Sequence, residues 1–280
     1  MNQTGHNLRN IPKQTTVAVI PARFASTRLP GKALIEIAGK PMVCWVAERA
    51  LAASNVNRVI VATDNDEIVE AVRARGIEVM LTSSHHSSGT DRVAEVAEKI
   101  PEARIIVNVQ GDEPMISPQT IEKAVDVMAA ELHKPDGAGI VTTWEPIESN
   151  DDLLDPNLVK VVVDDEDNAV YFSRSPVPYP RDAVKRHGSP DIALAAEPDL
   201  LKLFRKHTGL YVYRRDVLLE FTRWPQTQLE RIEALEQLRA LAHGVKVKVV
   251  EACTPSTGVD TPVDLEKVRA KLSALTLQNA

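Results

Sequence analysis

The sequence predicts an α/β protein with a doubly wound, mostly parallel sheet. Two observations support this class: short apolar, β-branched runs, and stretches of helical periodicity that alternate with them. The first four runs are residues 17–20, 58–62, 77–81 and 105–109. The helices predicted between them are residues 41–54, 65–75 and 89–99. The N-terminal half therefore has the order β-α-β-α-β-α-β, which is typical of a parallel sheet.

The second half of the chain departs from this alternation between residues 155 and 215. Strand-like runs there alternate with proline-rich stretches, and a polar segment follows at 181–199. We expect an inserted, β-rich subregion that serves as a lid or an oligomer contact, within a single domain of residues 15–280. Further strands are predicted at residues 140–143, 159–163, 169–172, 210–213 and 245–250. Helical patterns return at 226–243 and from residue 262 to about residue 275.

Composition limits the partners and the compartment. The 280 residues include 33 Lys and Arg against 39 Asp and Glu, a net charge of −6 that opposes a general nucleic-acid role. The two cysteines lack metal-ligand spacing and suit a reducing compartment without disulfides. Residues 1–14 are polar and predict a disordered extension, and no run approaches the roughly 18 apolar residues of a membrane span. We therefore expect a cytoplasmic protein that does not enter the membrane.

A basic loop follows the first predicted strand. Residues 21–32 contain three cations, Arg23, Arg28 and Lys32, and no acid. Two guanidinium forks and an ammonium can neutralise phosphate oxygens, and Gly31 permits close backbone approach. The alternative is a solvated basic loop. Because the loop lacks both the Gly-x-x-x-x-Gly-Lys-Ser/Thr and the Gly-x-Gly-x-x-Gly patterns, a kinase-like ATP site and a nicotinamide site are disfavoured.

Two acids are candidate metal ligands. Asp112 follows the fourth strand in Gln110-Gly111-Asp112-Glu113-Pro114, and carboxylate oxygens combined with substrate phosphates suit Mg²⁺. Its alternative role is an Asx-turn or a helix cap before Ile116. Asp260 follows the last strand and would complete a two-carboxylate clamp with Asp112. However, Asp-Thr-Pro is also a good helix start, at which Asp260 would be the N-cap.

Parallel sheets bind ligands beyond the carboxyl ends of their strands. We therefore expect the loops that follow the first four strands to converge on one crevice. These loops are residues 21–32, 63–66, 82–92 and 110–114. In the third loop, Ser88 and Gly89 begin a predicted helix, with Ser88, Thr90 or Asp91 as its cap. The free N–H groups of this helix start and Arg92 can bind a base or a phosphate.

The predicted helix at 226–243 is amphipathic. Its apolar face is formed by Leu229, Ile232, Leu235, Leu238 and Ala242. Glu230 lies opposite, on the solvated face. Glu236 falls within the apolar stripe, where an unpaired ion costs several kcal/mol. It either pairs with Arg239 at i,i+3 spacing or faces a polar substrate together with Gln237.

Two further strands carry polar side chains suited to a substrate. His207, Tyr211 and Tyr213 fall on one face of a strand by alternation, with core packing as the alternative for the tyrosines. Arg174 follows the predicted strand at 169–172, and its guanidinium could face a carboxylate.

Six motifs together resemble the sugar-acid cytidylyltransferases, most closely those that act on 3-deoxy-D-manno-octulosonate (Kdo). In chain order they are PARFASTRLPGK, NVQGDEP, YFSR, HTGLYVY, LEQLR and TGVDTP. The similarity runs from about Thr16 to Leu272. The first motif alone would fit the wider nucleotidyltransferase superfamily, including sialic-acid activation, whereas the later five favour Kdo. The extension 1–14 and the polar stretch 181–199 depart from the family pattern.

The resemblance implies a Rossmann-like fold and a Mg²⁺-dependent transfer of CMP from CTP to the anomeric hydroxyl of Kdo, for lipopolysaccharide biosynthesis. It also implies a homodimer built partly through the inserted region. The nucleotide is expected to contact Arg23, Arg28, Lys32 and Arg92, with Ser88 and Gly89 beside them. Kdo is expected to contact Gln110, Arg174, His207, Tyr211, Glu236 and Gln237. The implied Mg²⁺ ligands are Asp112 and Asp260.

Two other functions remain open from the sequence. One is a nucleotidyltransferase for another sugar acid or for a sugar phosphate. The other is a non-catalytic nucleotide-binding module, which would bind a triphosphate without releasing pyrophosphate.

Overall fold

The structure is a computed structural model that describes residues 15–24 and 29–278. The predicted extension 1–14 and Arg28 therefore lie outside the described residues. The strands are β1 (Thr15–Ala22), β2 (Glu36–Ile37), β3 (Lys40–Pro41), β4 (Arg58–Thr63), β5 (Glu78–Leu81), β6 (Ala103–Asn108), β7 (Ile140–Pro146), β8 (Lys160–Val163), β9 (Ala169–Ser173), β10 (Arg205–Arg214) and β11 (Val247–Glu251). The α-helices are α1 (Met42–Leu51), α2 (Asp66–Arg73), α3 (Gly89–Lys99), α4 (Pro118–Glu131), α5 (Asn150–Leu154), α6 (Arg181–His187), α7 (Pro190–Ala196), α8 (Arg215–Phe221), α9 (Gln228–Glu233), α10 (Gln237–Ala242) and α11 (Pro262–Gln278).

A nine-stranded mixed sheet organises the described part of the chain. Seven strands lie in the order β11-β7-β10-β6-β1-β4-β5, and the β8–β9 hairpin joins β10. β1 is parallel to β4 and β6, and β11 is parallel to β7. Because β10 is antiparallel to both β6 and β7, the carboxyl ends of β1, β6, β7 and β11 meet at one edge, together with the start of β10. We call this the carboxyl edge. The predicted mostly parallel α/β sheet is confirmed.

Alternation along β1 sends side chains into two apolar layers. Ala18 and Ile20 pack into the layer beneath α1, α2 and α4, whereas Val17 and Val19 pack into the layer beneath α3, α8 and α10. All four side chains are fully buried. Burying a valine or isoleucine side chain contributes roughly 1.5–3 kcal/mol, which makes β1 a rigid base for the loop that follows it.

The prediction of one continuous helix at 226–243 is wrong, because the segment forms two short helices, α9 and α10. Ala234 adopts a left-handed conformation with φ of 51°, which ends α9 and separates it from α10. α9 is thereby turned, so that Leu229 and Ile232 are 47% and 70% exposed, whereas Glu230 is buried. Glu230 forms a buried ion pair with Arg239. The expected solvated position of Glu230 and the alternative Glu236–Arg239 pair are therefore both replaced by this contact.

The inserted subregion contains more helix than the sequence predicted. The β8–β9 hairpin and β10 agree with the strand predictions, although β10 lies within the large sheet between β6 and β7. The polar segment 181–199 folds into α6, α7 and the start of a 3₁₀ helix, Pro198–Leu203. Ser189 caps α7, with Pro190 at the first helical position, a favourable start signal. Within the described residues, no helix has the length and apolarity needed to cross a membrane.

Candidate active site at the carboxyl edge

The loops after β1, β4, β5 and β6 approach one another closely. A Cβ atom on Gly111 would lie 2.8 Å from the carbonyl oxygen of Pro21, so only glycine fits at this position. A Cβ on Gly89 would lie 3.4 Å from the Pro21 ring, and Arg92 bonds to Asp64 at 2.7 Å. The predicted convergence of these four loops is confirmed.

Lys32 joins the two predicted metal ligands. It begins a 3₁₀ helix directly after Gly31, whose φ of 66° is favourable only for glycine. The Lys32 ammonium donates to Asp112 Oδ2 at 2.6 Å and to Asp260 Oδ1 at 3.2 Å. The Lys32 side chain is only 14% exposed, whereas the two carboxylates are 36% and 58% exposed. Residues that lie 80 and 228 positions from Lys32 thus form one cluster, open to solvent on the carboxylate side.

The side chains of Asp112 and Asp260 do not act as helix caps. Ser117 caps α4 by accepting from the Thr120 N–H. At α11, the Thr261 hydroxyl accepts from the Asp264 N–H, while the Asp264 carboxylate accepts from the Thr261 N–H. These residues replace Asp112 and Asp260 in the capping roles that the sequence left open.

The cluster suits a hard divalent cation. Mg²⁺ is usually bound by one or two carboxylates, with substrate phosphates and water completing its coordination. Asp112 and Asp260 supply two carboxylates on either side of a position already occupied by a cationic group. The described residues contain no group of three or more His, Cys, Asp or Glu that could hold a metal.

The predicted nucleotide-binding residues differ in their surroundings. Arg23 is exposed just beyond β1. Ser88 is the N-cap of α3, and its hydroxyl and N–H form a capping box with Asp91. Gly89 is the first residue of α3. The predicted helix start is confirmed at this position.

Arg92 is held by protein partners in this structure. It is fully buried, and its guanidinium donates to Asp64 Oδ2 at 2.7 Å and to Thr82 Oγ1 at 2.6 Å. The side chain therefore ties the loop after β4 to the start of α3 and is not exposed to a phosphate. The sequence analysis did not predict that Asp64 would be the partner of Arg92.

Arg174 also differs from the prediction. Its guanidinium donates to the backbone carbonyls of Glu233 at 2.7 Å, Pro156 at 2.8 Å and Ala234 at 3.3 Å. Its N–H donates to the Glu233 carboxylate at 3.0 Å. Arg174 holds the turn between α9 and α10 and does not face a substrate carboxylate in this structure.

His207 and Tyr211 lie together on β10. The His207 and Tyr211 rings are 5.4 Å apart, and His207 Nε2 lies 2.9 Å from the Thr142 hydroxyl. Since that hydroxyl donates to the Leu210 carbonyl at 2.8 Å, it accepts from His207 Nε2, which leaves Nδ1 as an acceptor. Burial lowers the pKa of His207 to about 3 and raises the pKa of Tyr211 well above its ordinary value. Both rings are therefore neutral hydrogen-bonding groups near pH 7.

Gln110 adjoins the same strand. Its amide donates to Asn108 Oδ1 at 3.0 Å. A Cβ on Gly209, two residues after His207, would lie 3.2 Å from Gln110 Cγ. Gln110 is therefore placed beside the start of β10, as a shared substrate pocket requires.

Glu236, which directly precedes α10, lies next to the start of α3. Its carboxylate accepts a hydrogen bond from the Thr90 hydroxyl, and burial raises its pKa. An open cleft between α3 and the α9–α10 turn is lined by Ser88, Asp91 and Glu236. Gln237, beside Glu236, is buried. The structure thus brings Ser88 and Glu236 to one cleft.

Sequence reasoning missed a partly buried polar network behind Asp112. Ser256 donates from its hydroxyl to Glu113 and from its N–H to Glu145, which pairs with Lys206 at 2.8 Å. Burial raises the pKa of Glu113 to about 7, and the charges of Asp112 and Glu145 add to the effect. The position of Glu113 directly after Asp112 in the sequence could have marked it as part of the site. Its partner Ser256 could not be predicted, because it lies 143 positions away in the chain.

A mostly parallel sheet whose carboxyl edge brings a lysine to two aspartates is the architecture of a nucleotidyltransferase. The family model described as cytidylyltransferase matches residues 17–247. The 3-deoxy-manno-octulosonate cytidylyltransferase of Geobacter sulfurreducens is 53% identical over 255 residues, which cover 91% of this chain and 98% of that protein. The protein of the same name from Saccharophagus degradans is 46% identical over 262 residues, covering 92% and 98%.

A solved structure agrees with these relatives. CMP:2-keto-3-deoxy-manno-octonic acid synthetase complexed with CTP superposes with a TM-score of 0.82 at 42% identity, covering 93% of this chain and 99% of that one. The chain belongs to the 3-deoxy-manno-octulosonate cytidylyltransferase family. The resemblance on which the sequence analysis relied is confirmed.

Proposed function

We propose that this chain transfers CMP from CTP to the anomeric hydroxyl of Kdo and releases pyrophosphate. Family membership supports the reaction, and the observation that carries it is the contact of Lys32 with both Asp112 and Asp260. In the reaction, the sugar oxygen attacks the α-phosphorus. The bond from the α-phosphorus to the oxygen that bridges to the β-phosphate breaks, and pyrophosphate leaves with the electron pair.

Asp112 and Asp260 would hold Mg²⁺. Bound there, the ion would neutralise charge on the triphosphate and would lower the pKa of the attacking hydroxyl. Lys32 lies beside both carboxylates and is within reach of an anion that approaches them. Its ammonium, with the exposed Arg23 and the sequence-predicted Arg28, would neutralise charge that shifts toward pyrophosphate during transfer. The residues of this site thus act by positioning and charge neutralisation, with little covalent work.

The sugar would be read by neutral hydrogen-bonding groups. His207 Nδ1, the Tyr211 hydroxyl and the Gln110 amide suit a ligand with several hydroxyl groups. Two contacts extend from them toward the α3 start: Tyr211 stacks on Tyr213, whose pKa is raised by burial and by the charge of Glu236, and Glu236 accepts from the Thr90 hydroxyl. Glu236 and Gln237 belong to this proposed set. Arg92 and Arg174 support its loops and are not assigned to the ligands.

We also propose that the chain works as a cytoplasmic homodimer whose product enters lipopolysaccharide biosynthesis. Cys44 and Cys253 are free thiols, which suits a reducing compartment. Light scattering on the purified chain measures the oligomeric state, and a monomer at micromolar concentration would contradict the dimer.

Pyrophosphate release tests the proposed reaction. The purified chain is supplied with Mg²⁺, one of the four nucleoside triphosphates, and either Kdo or the sialic acid N-acetylneuraminate. We expect release only with CTP and Kdo together. Release with the sialic acid but not with Kdo would assign the chain to a different sugar acid. CTP binding without release under any condition would indicate a non-catalytic module.

A further inference from the structure

A partly buried polar network lies directly behind the two aspartates. Ser256 uses two donors: its hydroxyl binds Glu113, and its N–H binds Glu145 at 2.8 Å. Glu145, on β7, is 3% exposed and also pairs with Lys206 on β10. The network therefore connects the loop after β6, the loop after β11 and two strands of the sheet.

The same network fixes the two loops that carry the aspartates. Glu113 directly follows Asp112, and Ser256 precedes Asp260 by four residues in the loop after β11. A backbone bond lies alongside, because the Val259 N–H donates to the Asp112 carbonyl at 2.9 Å. A Cβ on Gly258 would be 3.6 Å from Glu113 Oε1, so the two loops are in close contact. Ser256 and Glu113 thus form the side-chain half of a joint whose other half is backbone.

The joint matters because β11 and β6 are far apart in the sheet. Two strands, β7 and β10, lie between them. The loop after β11 must cross this distance to bring Asp260 to Lys32, and its crossing point is anchored on Glu145 of the intervening β7. Glu145 Oε2 meets Lys206 at ion-pair distance without a hydrogen bond among the described residues, so the two bonds that Ser256 donates are the directional contacts of the joint.

We propose that Ser256 and Glu113 are positioning residues that set the separation of the Asp112 and Asp260 carboxylates and thereby the affinity of the site for a divalent cation. The inference rests on the proposed function, since it takes these aspartates as ligands of Mg²⁺. Ser256 and Glu113 act through the loops and are assigned no contact with the cation or the substrates.

Mn²⁺ binding measured by calorimetry in the presence of CTP tests this proposal. Ser256→Ala removes the hydroxyl donor and should weaken Mn²⁺ binding about tenfold, a change of about 1.4 kcal/mol. Ser256→Thr keeps a hydroxyl and should restore the affinity to within about threefold of the wild type. Lys123→Ala is the matched control: it removes an exposed bond of 2.8 Å to the Glu251 carbonyl at the end of β11, away from the network, and should leave Mn²⁺ affinity unchanged.

Two further measurements separate positioning from simple stabilisation. The Michaelis constant for Kdo should stay within about twofold of the wild type in Ser256→Ala, because the hydroxyl that is removed bonds to the Glu113 carboxylate, whereas the bond of 3.2 Å from the Glu113 N–H to the Gln110 carbonyl is kept. A lower melting temperature with wild-type Mn²⁺ affinity would overturn the proposal. If Ser256→Ala does not fold, Ser256→Cys keeps a weaker donor and should bind Mn²⁺ less tightly than the wild type; equal affinity would overturn the proposal.

Failure of the proposed function gives a different result. If Asp112→Asn binds Mn²⁺ as tightly as the wild type, the metal assignment itself is wrong. If Asp112→Asn loses Mn²⁺ binding while Ser256→Ala retains it, the metal site stands and only the positioning role is overturned.

Discussion

Two parts of the carboxyl edge treat their charged residues differently. On the proposed metal side, Lys32 contacts both Asp112 and Asp260, and the aspartates remain partly exposed. On the sugar side, around β10 and the α9–α10 turn, Arg174 is held by backbone carbonyls and Glu236 by Thr90. The comparison teaches that a charge next to the predicted site is not thereby available to a ligand. A charge in the interior is first satisfied by the protein, because leaving it unpaired is costly.

The largest effect is expected on the metal side. Asp112→Asn and Asp260→Asn each remove an anionic ligand without changing size, so pyrophosphate release should fall roughly a thousand-fold, about 4 kcal/mol of transition-state stabilisation. Steady-state assays at saturating CTP, Kdo and Mg²⁺ measure it. The control is Asp199→Asn, an exposed carboxylate paired with Lys202, which should keep full turnover. Near-wild-type turnover in either variant would contradict the assignment of that aspartate as a metal ligand.

The next effect concerns the ion pair beneath the α9–α10 turn. Arg239→Met leaves Glu230 buried without its partner, so the free energy of unfolding should fall by about 3–5 kcal/mol. Urea denaturation measures the loss. The double variant Glu230→Gln with Arg239→Met removes both charges and should recover part of the lost stability. If the single variant loses less than about 1 kcal/mol, the pair does not hold this turn in place.

Arg174→Ala sharpens the comparison directly. Three backbone carbonyls lose their donor, so unfolding free energy should fall by about 1–3 kcal/mol, whereas the Michaelis constant for CTP should be unchanged. The matched control is Arg181→Ala, since Arg181 is 81% exposed and should be worth less than about 0.5 kcal/mol. Wild-type stability combined with a raised Michaelis constant for Kdo would indicate that Arg174 binds Kdo, as the sequence analysis expected.

The smallest effect is a pH dependence on the sugar side. Burial lowers the pKa of His207 to about 3 in the folded state, below about 6.5 in the unfolded chain. The unfolded state therefore binds the proton first, so stability is fully present above about pH 6.5 and is lost as the pH falls toward 3. From pH 7 to pH 5 the wild type should lose about 1–2 kcal/mol more than His207→Gln in chemical denaturation.

The control for this pH dependence is His85→Gln, at an exposed position, which should reproduce the wild-type curve. If the free energy of unfolding changes equally with pH in the wild type and in His207→Gln, the His207 ring is not desolvated in the folded state.

That Lys32 and Asp112 come together at the carboxyl edge could be predicted from the sequence, because it depends on topology. Apolar runs fix the strands, and a parallel sheet sends the residues that follow them to one edge, which is where Lys32 and Asp112 lie. Asp260 was found through the same strand-end argument, although its contact with Lys32 required the fold. The nine predicted strands that form the large sheet all occur in the structure.

The sugar side was harder because its contacts are tertiary. Ala234 breaks the predicted helix without a glycine or proline to signal it, and this break decides which charges are buried. Arg92 meets Asp64, 28 positions away, and Arg174 meets carbonyls about 60 positions away. Periodicity describes one element at a time, so it could not show that a neighbouring element would satisfy these charges first.

The most direct measurement is the position of a divalent cation in crystals grown with CTP and Mn²⁺. Anomalous scattering locates the ion independently of which residues are assumed to be its ligands. The account predicts a peak with one oxygen of Asp112 and one of Asp260 at roughly 2.0–2.2 Å, the range for a small hard cation on carboxylates, and with the Lys32 ammonium moved from between them. A peak that contacts neither aspartate, with Lys32 still joining them, would contradict the central claim.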